Sequence, residues 1–169
     1  TEPSGRAMSL RDGLAYSKNT ITAQLMDKVG ASKVARLAQA LGVRQSKLEP
    51  VPSLALGTSP VSLQEMVTAY ASIANGGNYF APLLVQRVED RNGKLLEQFS
   101  PPRQPDRAMP YKVTLTLVNA MRGVIDYGTG NAIRTRYGIR IDVAGKTGTT
   151  QENTDGWFIM MHPQLVAGS

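Results

Sequence analysis

The chain has 169 residues, 41% hydrophobic and 19% charged, the balance of one folded domain rather than of a disordered segment. Nineteen Lys and Arg against 13 Asp and Glu give a net charge of +6 and a pI near 9.8, which favours an anionic partner. No basic run exceeds two residues and aromatics make up only 6%, so the footprint of a nucleic-acid binder is absent; with no Cys and a single His162, thiol chemistry, disulfides, thiolate and His-rich metal sites and a Ser-His-Asp triad lose their support.

Ser9-Leu10-Arg11-Asp12 has the form of a capping box and predicts a short helix to about Tyr16. Ile21, Leu25, Met26 and Val29 form a second helical stripe that stops at Gly30. Ser32 opens a third, with Val34, Ala35, Leu37, Ala38 and Leu41 ahead of Gly42. Residues 45–60 hold three prolines and read as a loop that tucks Leu54, Ala55 and Leu56 against the core. Ser62-Leu63-Gln64-Glu65 is a second capping box, and the stripe behind it runs through Met66, Tyr70 and Ile73 to Asn75-Gly76-Gly77.

Leu83 to Val88 and Lys94 to Phe99 flank Asp90-Arg91-Asn92-Gly93, a hairpin signal in which Asn-Gly supplies positive φ angles. Residues 100–110 are a proline-rich connector. Pro110 suits the first turn of a helix with Val113, Leu117, Ala120, Met121 and Val124 as its buried stripe, closed by Gly128-Thr129-Gly130. The end alternates strand-prone runs with turns: Arg140 to Thr150, Gly156 to Met161, and Leu165 onward, with His162-Pro163-Gln164 connecting the last two. No apolar run approaches the ~20 residues of a membrane span and no signal peptide opens the chain, so a soluble chain, or a soluble piece of a protein anchored elsewhere, is expected.

Two stretches carry the chemistry. In Tyr16-Ser17-Lys18-Asn19-Thr20, Ser17 and Asn19 are two apart and converge on one site only in a turn between helices, which is where they fall; the structural alternative is that one of them caps the helix beginning near Thr20. In Val143-Ala144-Gly145-Lys146-Thr147-Gly148-Thr149-Thr150, a phosphate loop fails because Arg140 stands where G-x-x-x-x-G-K-[ST] needs Gly. On an edge strand the same residues suit an anion-terminated peptide: bare glycines at 145 and 148 admit an added strand, Lys146 offers a cation, and Thr147 and Thr149 offer hydroxyl donors. The alternative is a turn with a solvated lysine.

Together, Ser17-Lys18-Asn19 and Lys146-Thr147-Gly148 resemble the S-x-N and K-T-G motifs of the penicillin-binding proteins and class A β-lactamases. The surroundings, including Ala55-Leu56-Gly57, Ala69-Tyr70-Ala71, Asn75-Gly76-Gly77, Gly128-Thr129-Gly130 and Asp155-Gly156-Trp157-Phe158, resemble the transpeptidase domain of a class A, bifunctional penicillin-binding protein from about Ser4 to Ser169. That resemblance implies an α/β fold of the α+β type, the DD-peptidase/β-lactamase-like fold, with an antiparallel sheet packed with helices. Nothing resembles the deacylating Glu loop of class A β-lactamases.

One departure from the family is decisive: no serine in the chain has Lys three residues on, so the S-x-x-K nucleophile is absent. The chain, residues 1–169, is therefore expected to be a partial domain that lacks its first strands, its nucleophile helix and its C-terminal end, that is held by its complementary piece, and that does not acylate alone. The resemblance implies D,D-transpeptidation of peptidoglycan stem peptides ending in D-Ala-D-Ala, inhibition by β-lactams, no cofactor, a glycosyltransferase domain in the same parent chain, and a periplasmic site anchored through a segment outside these residues. By position it assigns Ser17 and Lys146 to proton relay, Asn19 to holding the substrate amide or the missing lysine, the Thr149 N–H to half of an oxyanion hole, and Thr147, Gly148 and Thr149 to the substrate. It gives Gly128-Thr129-Gly130 no role beyond a turn. The reading from a different class is a non-catalytic module that recognises cell-wall peptide or β-lactam.

Overall fold

In the computed structural model, which describes residues 7–149 and 156–169, helices α1 (Leu10–Ala15), α2 (Asn19–Val29) and α3 (Ala31–Leu41) follow in close succession. Ser9 caps α1 by accepting the Asp12 N–H, and its hydroxyl donates to the Asp12 carboxylate at 2.8 Å. Gly30 separates α2 from α3. The stripe expected to be buried on α2 is covered only in part: Met26 is buried, whereas Leu25 and Val29 stay 43% and 38% exposed. The reason is packing: α2 touches α1, α3 and the 3₁₀ turn Pro52–Leu56, and these leave Leu25 and Val29 uncovered. That 3₁₀ turn replaces the plain loop expected there, seeded by Pro52 at its start. Leu54 packs on the core, but Leu56 does not.

Helix α4 (Leu63–Ala74) begins with the full reciprocal capping box of Ser62 and Glu65. After it, β1 (Asn78–Tyr79) pairs with β4 (Asp106–Arg107), a two-residue ladder that ties the end of α4 to the proline-rich connector and that periodicity does not reveal. Strands β2 (Arg87–Glu89) and β3 (Leu95–Gln98) form the expected hairpin in shorter form. Asp90 ties its turn through Oδ1 to the N–H groups of Asn92 and Lys94, and only Gly93 takes a positive φ.

Helix α5 (Tyr111–Asp126) starts after Pro110, which stands at the cap rather than in the first turn. Its buried face is rotated from the expected stripe: Thr114, Met121, Val124 and Ile125 are buried and Val113 is 50% exposed. Thr114 belongs inside because its hydroxyl is satisfied by Pro110 O, four residues back. A short helix α6 (Ala132–Thr135) follows. Strands β5 (Ala144–Thr149), β6 (Gly156–His162) and β7 (Leu165–Gly168) close the chain as an antiparallel sheet in that order, with Lys146 opposite Ile159 and Thr147 opposite Phe158. Residues 140–143, expected to extend the first of these strands, lie outside it, and residues 150–155 fall outside the described residues.

The core joins the layers: Leu41 at the end of α3 and Val43 just after it, Ala69 and Ile73 on α4, Met121 on α5, and Ala144 and Met161 on the sheet. Helix α5 packs on both α1 and β5, so the turn after α1 is brought to the sheet edge. Among the described residues β5 has a neighbour only on its β6 side.

Candidate active site

The turn from α1 to α2 is built as a helix stop. Lys18 N–H donates to Gly13 O at 2.8 Å and Ser17 N–H to Leu14 O at 3.1 Å, the paired bonds of a Schellman motif with Ser17 in the position usually held by Gly. Ser17 has φ +51°, and among the described residues it alone takes a positive φ without being Gly. A left-handed non-glycine residue costs about 1–2 kcal/mol, which the rest of the fold must offset. What the strained turn does is aim the hydroxyl: Ser17 Oγ accepts a hydrogen bond from Lys146 Nζ at 2.8 Å, across 129 residues of sequence. Helix α2 is capped by Lys18, so neither Ser17 nor Asn19 is the N-cap considered from sequence.

Lys146 is not a freely solvated lysine. It is half-buried on β5, and its ammonium also donates to Thr147 O at 2.7 Å. Among the described residues no carboxylate lies within ion-pair distance of it. Desolvation by partial burial pushes its pKa below the ordinary 10.5. Ser17 Oγ is thus occupied as an acceptor and, among the described residues, donates to no partner.

Thr147 and Thr149 share one face of β5, because side chains alternate along a strand. Gly148 lies between them on the exposed part of the strand. Gly145, in contrast, is buried: a Cβ there would stand 2.6 Å from Ile159 O and 3.2 Å from Ile125 Cδ1. Its bareness serves packing of β5 on β6 and α5 rather than approach of a peptide, which corrects the sequence reading. Thr149 ends the strand opposite Gly156, exposed. Asn19 opens α2, exposed, with no side-chain bond to Ser17 or Lys146 among the described residues.

Sequence reasoning left one residue out. Thr129 Oγ1 lies 2.6 Å from Thr147 Oγ1, and Thr129 N–H donates to Ala15 O at 3.0 Å, so the Gly-Thr-Gly turn touches both halves of the site. Gly128 is required there, since a Cβ would collide with Ala15 O. The signal was a Gly-x-Gly flanking a hydroxyl, which also fits an ordinary turn. Beside this cluster a cavity of about 540 Å³ runs between α3, α4 and β5, lined by Ala38, Leu48, Met66 and Tyr70 on one side and by Lys146, Thr147 and Trp157 on the other. Burial raises the Tyr70 phenol to about 12, so it stays neutral.

Comparison with known proteins bears directly on this arrangement. The family described as the penicillin binding protein transpeptidase domain matches residues 1–164. The chain belongs to that family. Penicillin-binding protein 1A of Aquifex aeolicus is 37% identical over 161 residues, 95% of this chain but 21% of that protein. The crystal structure of penicillin-binding protein 1A from Haemophilus influenzae has the same fold, with a TM-score of 0.82 at 23% identity over 95% of this chain and 31% of its own. PonA1 from Mycobacterium tuberculosis, solved in complex with penicillin V, matches 99% of this chain and 49% of its own with a TM-score of 0.78 at 26% identity. The chain thus spans about a fifth of the length of its 1A-type relative. A penicillin-binding transpeptidase module accounts for the mixed helix and antiparallel sheet architecture.

Proposed function

We propose that this chain is the proton-relay and carboxylate-binding part of a serine D,D-transpeptidase that cross-links peptidoglycan stem peptides ending in D-Ala-D-Ala and is acylated by β-lactams. One observation carries the reading: the Lys146 ammonium held 2.8 Å from a strained Ser17 hydroxyl, beside an exposed edge strand bearing Thr147 and Thr149. The binding of penicillin V by PonA1 supports the β-lactam element.

The nucleophile belongs to the S-x-x-K segment, outside these residues. Its serine oxygen gives its proton to the lysine of S-x-x-K as it adds to the penultimate carbonyl, the C–N bond to the terminal D-alanine breaks, and that amine leaves with a proton. Ser17 supplies this proton from Oγ and is refilled with the one that lysine received, while Lys146 holds the Ser17 oxygen. An amine from a neighbouring stem peptide then attacks the acyl-serine ester, and its proton passes through Ser17 to the departing serine oxygen. Thr149 N–H serves as one oxyanion donor, and Thr147 and Thr149 hydroxyls hold the terminal carboxylate with the cation nearby. Asn19, exposed at the start of α2, takes the substrate amide or the lysine of S-x-x-K.

Residues 1–169 are accordingly one part of a domain whose remainder supplies the S-x-x-K nucleophile. The parent chain carries a glycosyltransferase domain and a membrane anchor outside these residues, which holds this part on the periplasmic side. Among the described residues no helix is long and apolar enough to cross a membrane.

Intact mass spectrometry after incubation with a penicillin tests this on the chain and on the full-length protein. A penicilloyl adduct on the full-length protein and none on the chain is expected. An adduct on the chain overturns the site assignment, and none on either turns the weight to a peptide-recognition module.

A further inference from the structure

Thr147 has one hydroxyl proton, and what that proton does decides whether β5 attracts or repels a carboxylate. If Thr147 donates to Thr129, it shows a ligand only lone pairs. If Thr129 donates to Thr147, the Thr147 proton is left over for the ligand. The 2.6 Å separation of the two oxygens is compatible with either direction, so an anion bound at Thr147 selects the second. Thr129 can play this part because its backbone is fixed independently of β5. Its N–H is held by Ala15 O at 3.0 Å, and the flanking Gly128 and Gly130 N–H groups donate at 2.8 Å to Gly123 O and Val124 O at the end of α5.

We propose that Thr129 is a positioning residue for the substrate carboxylate: its hydroxyl donates to Thr147 Oγ1 and so turns Thr147 into an obligate donor toward the anion. The relay Thr129 O–H to Thr147 O–H to carboxylate polarises both bonds in one sense. The same turn grips Ala15 O, two residues before Ser17, so one loop sets the anion donor and braces the strained turn that carries the proton donor. This inference rests on the reading of β5 as the carboxylate site.

The test uses the full-length protein with penicillin G and with its methyl ester, which lacks the anion, on wild type, Thr129→Val and Thr129→Ser. Thr129→Val is expected to slow acylation by the free acid about five- to tenfold, the range of one lost hydrogen bond, while leaving the ester rate at the wild-type value. Thr129→Ser restores the acid rate to within about twofold. In a Thr147→Val background, adding Thr129→Val changes nothing further. Equal slowing toward acid and ester, a Ser variant as slow as Val, or a Val variant as fast as wild type overturns the role of Thr129 with the transpeptidase reading intact. A wild-type protein that neither ligand acylates overturns that reading and this proposal with it.

Discussion

Among the described residues, Glu65 and Lys146 are ionised groups drawn out of water, and they are provided for in opposite ways. Glu65, 6% exposed, receives the Gln45 N–H at 2.7 Å, both the N–H and hydroxyl of Ser46 at 2.9 and 2.5 Å, and both the N–H and hydroxyl of Ser62 at 3.3 and 2.9 Å. These bonds, the Ser46 hydroxyl foremost, pull its pKa from 4.5 to about 2 against the opposing effect of burial. Lys146 has two oxygen partners, no carboxylate among the described residues, and a pKa displaced in the direction that weakens its charge. A charge fully satisfied by donors holds structure together. A charge left short of partners is available to a ligand.

The largest expected effect lies on the Lys146 side of that contrast. Lys146→Met in the full-length protein should slow penicillin acylation by about 10²- to 10⁴-fold, the range for a disabled proton relay, while its melting temperature holds or rises because a poorly compensated charge is gone. A variant that loses stability as well as activity would make Lys146 a structural residue like Glu65.

Glu65→Gln should do the reverse. It removes a buried charge from five donors and is expected to cost about 2–3 kcal/mol in denaturant unfolding, by removing several charge-assisted bonds at once. With a folded-state pKa below the unfolded one, the Glu65 contribution is complete above 4.5 and is lost as pH falls toward about 2. Acid titration of stability in wild type and variant checks the sign, since the wild-type advantage must shrink over that window.

A smaller difference separates two substitutions at Ser17. Both Ser17→Gly and Ser17→Ala delete the hydroxyl and should abolish rapid acylation, but Gly relieves a φ of +51° that Ala must keep. The Gly variant is expected to be about 1 kcal/mol more stable than the Ala variant, by the cost of a left-handed alanine. Equal stabilities would mean that the turn is not strained.

The same contrast explains what could be read in the sequence. Glu65 was legible because a capping box is a local pattern, four residues long, with its partner Ser62 inside it. Ser17 and Lys146 were visible as residue types, but their contact spans 129 residues and no periodicity encodes it. The resemblance to the family motifs supplied what spacing could not. Helix existence was readable from apolar stripes, yet which stripe residues are covered was not: Leu25 and Val113 repeat at the right interval and still face outward, because burial depends on what packs against the helix. The ladder of β1 with β4 and the helix α6 escaped notice since two- and four-residue elements carry no period. Thr129 is not legible because its value lies in a hydroxyl partner on a distant strand, β5.

The pH dependence of penicillin acylation in the full-length protein tests the Lys146–Ser17 pair most directly. Relay through Ser17 requires the Lys146 cation, and partial burial lowers the pKa at which that cation is lost from the ordinary 10.5. The acylation rate should therefore fall on the alkaline side with a midpoint below 10.5, while the protein remains folded, and that alkaline limb should be missing from the residual rate of Lys146→Met. A rate that stays level through 10.5, or the same alkaline limb in both proteins, contradicts a proton relay driven by the Lys146 ammonium.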